Sequence, residues 1–433
     1  MDDNYGIDLT TLDEEYDRIA EEIDIKPLGA NGINQLVQEK FMAGIKSLNK
    51  TLPPNQQLTP DKDNNVLNTP NGTSEGASEL QKPMNPDNLT VSVNHINTFG
   101  DGSWNLGNKR MRKRSMLETY IPWAESRGVK VISNMTAVRF MPTADGKKAD
   151  SVLLRTNNGD LHKVKVNKAV IIAGGVIASS HFLMRSEVPN VHIGENMSCN
   201  FAIPLAFEFK DDLKAFDGDQ ITLGALAPDS KAAFETYFNP PAAFALSNVP
   251  FIFNRRLDIM SRYRHLVNFG CLVGSEPNGV IQKKPDVING QPFTWTLGQE
   301  HDVPNLKYGI TTLIKLGQDA GAIKAFLPTK PGVVLDLTNK KDVDDFIQSF
   351  NNYPLRMDDV AISTAHPQGG NGMAANNSLL GNKSVVTENF NVKGFDNVFV
   401  ADASLFPTSL TINPQWTIMA MSSMAVKQIL KSV

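Results

Sequence analysis

The sequence predicts an α/β chain in which a parallel strand, turn and helix unit is joined to a second, α+β part built on an antiparallel sheet. Three observations carry that reading. The apolar strand AVIIA at 169–173 runs directly into Gly174-Gly175 and a helical segment, IASSHFLMRS, which is the order of a parallel α/β unit. Residues 201–360 change character: FAIPLAFEF, FTWTLG, NLKYGITTLIKLG and GVVLDLT are apolar or alternating segments between loops rich in Pro, Gly and Asp, with one helical piece, DVDDFIQSF. The chain has 433 residues, 41% hydrophobic and 20% charged, enough for two or three domains with substantial cores.

Composition removes several function classes. The charge balance, 42 Lys plus Arg against 46 Asp plus Glu, gives −4, so no global positive field draws the chain to nucleic acid. Cys199 and Cys271 belong to no C-x-x-C pair, which excludes a structural zinc cluster of the usual kind. No apolar run is long enough for a membrane helix. The acidic opening MDDNYGIDLTTLDEEYDRIAEE lacks the basic and apolar regions of a signal peptide, so no export signal is expected within this chain and its compartment stays open.

The elements follow in order. Thr11 and Glu14 have capping-box spacing, and Leu12, Tyr16, Ile19 and Ile23 recur at helical intervals, predicting an amphipathic helix over 12–24. Val37, Phe41, Ile45 and Leu48 form one stripe of a second helix over 33–48. Residues 51–90 are rich in Pro, Asn, Thr and Gly and read as a long loop, either a cover over a site or a linker. VSVNHINTF at 91–99 alternates weakly as a strand, and Lys109, Arg110, Arg112, Lys113 and Arg114 form a basic run, a solvated face or a phosphate contact, at the entry to a helix. Strands are expected at 129–134 and 137–141, then a hairpin of 151–156 with 162–167 around Asn158-Gly159. Alone, Gly174-Gly175 fits a tight turn in any buried β-to-α connection as well as a dinucleotide-binding turn.

Tyr263, His265, Trp295 and His301 match no ligand or catalytic spacing and read as structural. No H-E-x-x-H or P-loop occurs, which argues against zinc peptidase and NTPase chemistry. The densest signal is C-terminal. His366 lies in a Pro/Gly-rich turn that can present an imidazole to a cavity, and it is the candidate base. The strand NVFVA at 397–401 ends at Asp402, where open α/β sheets bind ligands. Asn413-Pro414 precedes the helical QWTIMAMSSMAVKQIL. It reads either as a plain N-cap with a first-turn proline or as a helix start whose free N–H groups stabilise an anionic ring.

STAHPQGG and SVVTENFNVKGFDNVFVADASLFPTSLTINPQWTIMA together resemble the C-terminal signature of the glucose-methanol-choline (GMC) oxidoreductases, a family that binds FAD and oxidises CH–OH groups. AVIIAGGVIASSHFLMRS with IGENM, the segment NKRMRKRSMLETYIPWAESRGVKVISNMTAVRF, and the helix LTTLDEEYDRIAEEIDI resemble further parts of the same family. The resemblance implies an FAD-dependent oxidoreductase acting on an alcohol, sugar or polyol. His366 would be the active-site base, accepting the hydroxyl proton as hydride leaves for the flavin, and Asn413 would orient the alcohol oxygen. Asp402 and Ala403 would lie beside the ribityl and pyrophosphate, and Pro414 and Thr417 near the flavin ring. Val138 would lie near the adenine, and Ala173, Gly174 and Gly175 near the dinucleotide.

The departure from the family is its opening G-x-G-x-x-G segment, which has no counterpart here. The fold class expected is therefore α/β, an incomplete FAD-binding Rossmann-like domain with a second α+β substrate domain on an antiparallel sheet. N-terminal helices and a long loop would occupy 1–90. The discontinuous remainder of the FAD-binding domain would occupy 91–200 and 361–433, and the substrate-binding domain 201–360. Three explanations follow: a truncated product, a split enzyme completed by a separate N-terminal polypeptide, or a non-catalytic binding or structural relative that has lost FAD. Loss of the first strand also predicts an exposed apolar sheet face, unless the acidic N-terminal helices repack over it.

Overall fold

A computed structural model describes residues 5–22, 34–60, 116, 119–217, 224–249, 256–285 and 290–433. The strand expected at 91–99, the basic run at 109–114 and the loop beyond residue 60 lie outside them.

Helix α1 spans Leu9–Glu22 and begins earlier than the Thr11 spacing suggests. Asp8 is its cap: its carboxylate accepts from Thr10 N at 3.1 Å and Thr11 Oγ1 at 2.7 Å, so Thr11 serves the cap from inside the first turn. Helix α2 spans Gln35–Thr51, capped by Asn34 Oδ1 on Val37 N, and buries Val37, Phe41, Ile45 and Leu48 as its stripe predicts. The short strand β1, Thr59–Pro60, follows, and after it helix α3, Tyr120–Ser126.

Strands β2 (Met135–Pro142), β3 (Ala149–Thr156) and β4 (Leu161–Lys165) form an antiparallel sheet whose second turn contains Asn158-Gly159. Residues 129–134 are not a strand; Val129, Val131 and Ile132 stand exposed, with no strand paired to them among the described residues. Strand β5 (Val170–Ile172) enters Gly174-Gly175 and helix α4 (Val176–Arg185).

The second half is dominated by one sheet. Its strands are β6 (Ser198–Glu208), β7 (Gly224–Leu226), β8 (Ala233–Tyr237) and, after helices α5 (Pro241–Ser247) and α6 (Arg256–Ser261), β9 (Leu266–Gly274). A two-residue pair, β10 (Val280–Ile281) with β11 (Phe293–Thr294), precedes helix α7 (Asp302–Asp319). Then come β12 (Lys324–Leu327), β13 (Val333–Asp336) and helix α8 (Lys340–Asn352). The sheet is antiparallel throughout in the order β1-β7-β8-β9-β6-β12-β13, with the two-residue β14 (Pro367–Gln368) added on β6.

NLKYGITTLIKLG, grouped above with the sheet segments, lies inside α7. Its Gly309 and Gly317 sit where a Cβ would strike Cys271 Sγ and the Phe207 ring, so the helix lies close against the sheet. Helices α2 and α7 cover the sheet face that carries Phe207, Phe269 and Cys271, with Phe41 and Phe269 meeting edge to face at 5.1 Å.

The chain closes with a parallel pair β15 (Met373–Ala374) and β16 (Val386–Thr387), strand β17 (Val398–Val400) parallel to β5, and helix α9 (Gln415–Ser432). These elements, α1 and α4 share a second core around Phe140, Leu183, Val398 and Phe399. Among the described residues no helix is long and apolar enough to cross a membrane.

Candidate active site

The antiparallel register decides where His366 sits. Pro367 pairs with Cys199 and Gln368 with Ser198, so the next position outward sets His366 against Asn200 near the start of β6. His366 Nδ1 lies 2.7 Å from Asn200 Oδ1. Asn200 Nδ2 donates to the carbonyls of Ile412 at 3.0 Å and Leu410 at 3.3 Å. Those two acceptors fix the amide's orientation, because turning it over would set its oxygen against two carbonyls. The oxygen facing His366 can only accept, so Nδ1 carries the imidazole proton and Nε2 presents a free lone pair. Burial pulls the imidazole down to about 4, keeping it neutral at physiological pH.

The segment leading to Asn413 is strapped to the same strand. Ser409 Oγ donates to Cys199 O at 2.6 Å, and Leu410 N donates to Gln368 Oε1 at 2.9 Å. Asn200 thus holds the His366 turn and the residues just before Asn413 together. Asn413 itself does not cap the last helix: Pro414 occupies the cap position, without a side-chain cap, and its carbonyl accepts from Ile418 N at 2.8 Å. The N-cap reading of Asn413 is therefore corrected, since the first intrahelical hydrogen bond is accepted by the carbonyl of Pro414 and not by that of Asn413.

Asp402 leaves β17 and reaches the other half of the site. Its carboxylate accepts from Gly175 N at 2.9 Å, from Ser179 Oγ and from Ser404 N at 2.9 Å, closing the N-terminus of α4. Gly174 N donates to Ser179 Oγ at 3.0 Å. Ala403 O accepts from Gly369 N and Ser404 O from Asn371 N, at 3.0 and 2.9 Å, which joins the His366 turn to the Asp402 turn. The double glycine after Gln368 is required here: Gly369 has φ +79°, and a Cβ would fall 2.2 Å from Asn196 O.

Val138 stands at the β2 bulge, half-buried, with its carbonyl accepting from Arg185 Nε at 2.8 Å. Ala173 and Gly174 are exposed, and Gly175 has φ +79° with open space where a Cβ would be. Thr417 is engaged within the chain, accepting from Tyr16 OH at 2.6 Å, while Trp416 Nε1 donates to Tyr16 O at 3.2 Å. Three of the other residues weighed from sequence are also engaged within the chain: Tyr263 OH donates to Asn239 O, His265 Nδ1 contacts Asp211 O and His301 Nδ1 contacts Asp302.

Asn200 is the residue sequence reasoning missed. It carries no motif, and its partners lie 166, 210 and 212 positions away.

Comparison with known proteins gives two matches to the GMC oxidoreductases, one of the family's N-terminal domain to residues 59–202 and one of its C-terminal domain to residues 292–422. A long-chain-alcohol oxidase of Arabidopsis thaliana is 23% identical over 339 residues, covering 73% of this chain and 45% of the relative. An uncharacterized GMC-type oxidoreductase of Sinorhizobium fredii is 27% identical over 320 residues, covering 72% of this chain and 59% of the relative. A formate oxidase crystal structure is similar at TM-score 0.43 and 13% identity, covering 69% of this chain and 60% of that one. The chain spans about half the length of the curated relatives it matches.

Proposed function

Because the chain belongs to the GMC oxidoreductase family, we propose that it carries the substrate and proton-handling half of an FAD-dependent oxidation of a CH–OH donor. The observation that carries this reading is the Asn200 tether, which leaves a neutral imidazole with Nε2 as the free base next to the strap that ends at Asn413. His366 Nε2 accepts the hydroxyl proton of the alcohol, and Asn413 orients its oxygen. The relatives named as long-chain-alcohol oxidases favour an aliphatic alcohol as donor.

The described residues fit a dinucleotide at one end. The exposed Ala173–Gly174 turn and the open space at Gly175 let a bulky group approach the backbone, with bulged Val138 against the same helix. Val138, Ala173, Gly174 and Gly175 would hold the dinucleotide, Asp402 and Ala403 would back it, and Pro414 and Thr417 would face the ring. FAD supplies the hydride acceptor when bound.

A second reading is favoured by two observations: Tyr16 already takes the Thr417 hydroxyl, and Asp402 already fills the α4 N-terminus. On that reading the scaffold is a binding protein without flavin. Purification with added FAD separates the two. Stoichiometric flavin absorbance and alcohol-dependent bleaching that is lost in His366→Ala support the oxidoreductase. Absence of flavin at saturating FAD overturns that activity for this chain alone, and restoration by a separate N-terminal polypeptide would identify a split enzyme.

A further inference from the structure

The sheet face opposite α2 and α7 holds polar groups that no part of this mechanism uses. Register places Glu235 beside Gly270 and Tyr237 beside Asn268, on the same face as Asn200. Asn268 is fully buried, and among the described residues neither its amide nitrogen nor its amide oxygen has a hydrogen-bond partner. An unpaired buried amide is destabilising, so a fold that keeps one calls for a partner. Beside Glu235 the strand β7 carries no side chain: a Cβ on Gly224, opposite it, would meet only Phe234 O among the described residues, at 3.6 Å. Tyr237 lies across Gly270, its hydroxyl accepting from Asn248 Nδ2 at 2.9 Å, which walls the far side.

We propose that Glu235 and Asn268 bind a second, remote hydroxyl of the alcohol substrate, which makes the preferred donor a long-chain diol. This deepens the oxidoreductase reading and rests on it. The chemistry is that of a neutral hydroxyl, which can donate to Asn268 Oδ1 and accept from Asn268 Nδ2. Burial raises the Glu235 carboxyl to about 7, so at neutral pH and below it adds an O–H donor. Asn200 pairs with Gly274 and Glu235 with Gly270, on the two strands flanking β9. His366 lies on the edge of β6 away from β9, so three strand spacings across and four residue rises along the strands separate it from Glu235 by roughly 20 Å, the span of an extended aliphatic chain of about sixteen carbons. Leu272 and Ala202, on the same face between the two ends, are apolar and suit such a chain.

Of the titratable groups coupled to Glu235, Tyr237 is raised to about 12 and Cys271 is raised by burial, so both stay protonated while Glu235 titrates. The adjoining positions on β7 and β9 are Gly224 and Gly270.

The test is equilibrium binding of α,ω-alkanediols and 1-alkanols of matched length to the purified full chain, by calorimetry. The wild type should bind the diol about tenfold more tightly at about sixteen carbons, lose that ratio at short lengths, and lose it as pH rises through 7. Asn268→Leu should bring the ratio to about one. Glu235→Gln should keep the ratio at neutral pH and remove its pH dependence. Equal affinities at every length, or a ratio that survives in Asn268→Leu, overturns the proposal. If Asn268→Leu does not fold, pH dependence persisting in Glu235→Gln overturns it. Binding is read without flavin reduction, so a chain that discriminates diols but never bleaches FAD sinks the oxidoreductase reading and keeps the subsite.

Discussion

The amide of Asn200 cannot turn over without giving up two carbonyl partners, so His366 keeps its Nδ1 proton and presents Nε2. Nitrogen NMR of labelled histidine should therefore show one His366 tautomer in the wild type and a mixture in Asn200→Ala. The same variant should slow substrate-dependent flavin reduction about a hundredfold, because a base in the wrong tautomer cannot take the proton. Burial also makes His366 a pH-dependent stability element. Its folded value, about 4, lies below the unfolded 6.5, so its contribution is complete above pH 6.5 and is lost as pH falls from 6.5 to 4. At most about 3 kcal/mol is involved, less where solvent reaches the ring. Denaturant titrations at the two ends of that window should show a smaller acid loss in His366→Gln than in the wild type; equal losses would place the titration elsewhere.

Helix α1 lies along α9 and is fixed there by charge as well as by packing. Glu15 is 1% exposed and bonded to Arg18 and Lys427, which are 48% and 49% exposed. Burial works to raise its carboxyl, but Lys427, Ser423 and Arg18 together pull it down to about 2. This stabilisation is present above about pH 4.5 and lost as pH falls toward 2. Because both cations are half in solvent, Glu15→Gln should cost only about 1–2 kcal/mol at neutral pH, measured by chemical denaturation, with little further cost at pH 2. The helices α1, α2, α8 and α9 were legible because each carries a one-sided apolar stripe. Helix α7 was not, since Gly309 and Gly317 let it press on the sheet and its apolar and polar residues alternate closely enough to read as a sheet segment. Asp402 could be placed at a strand end from sequence. Its partner Gly175, 227 positions away, could not, because only the parallel pairing of β5 with β17 brings them together.

For the whole molecule, the C-terminal signature announced the family, whereas the joint between its parts depends on register. One core fills the eight-stranded sheet and its helices, the other surrounds β5, β17 and α9, and the Asn200 bonds with the Gly369–Ala403 bond cross between their loops. The expectation of an exposed apolar face meets a divided outcome. Tyr16, Ile19 and Glu15 of α1 cover α9, as repacking would require. Ile171 on β5 nevertheless remains 51% exposed, in a parallel pair with β17 of the kind normally buried on both faces. An apolar dye should therefore bind the purified chain, and Ile171→Thr should lower its fluorescence and slow aggregation. The change removes little buried surface and keeps a β-branched side chain, so stability should move by less than about 0.5 kcal/mol. Unchanged dye uptake in that variant would locate the apolar surface elsewhere, and a folded wild type that takes up no dye at all would show that β5 is covered in solution.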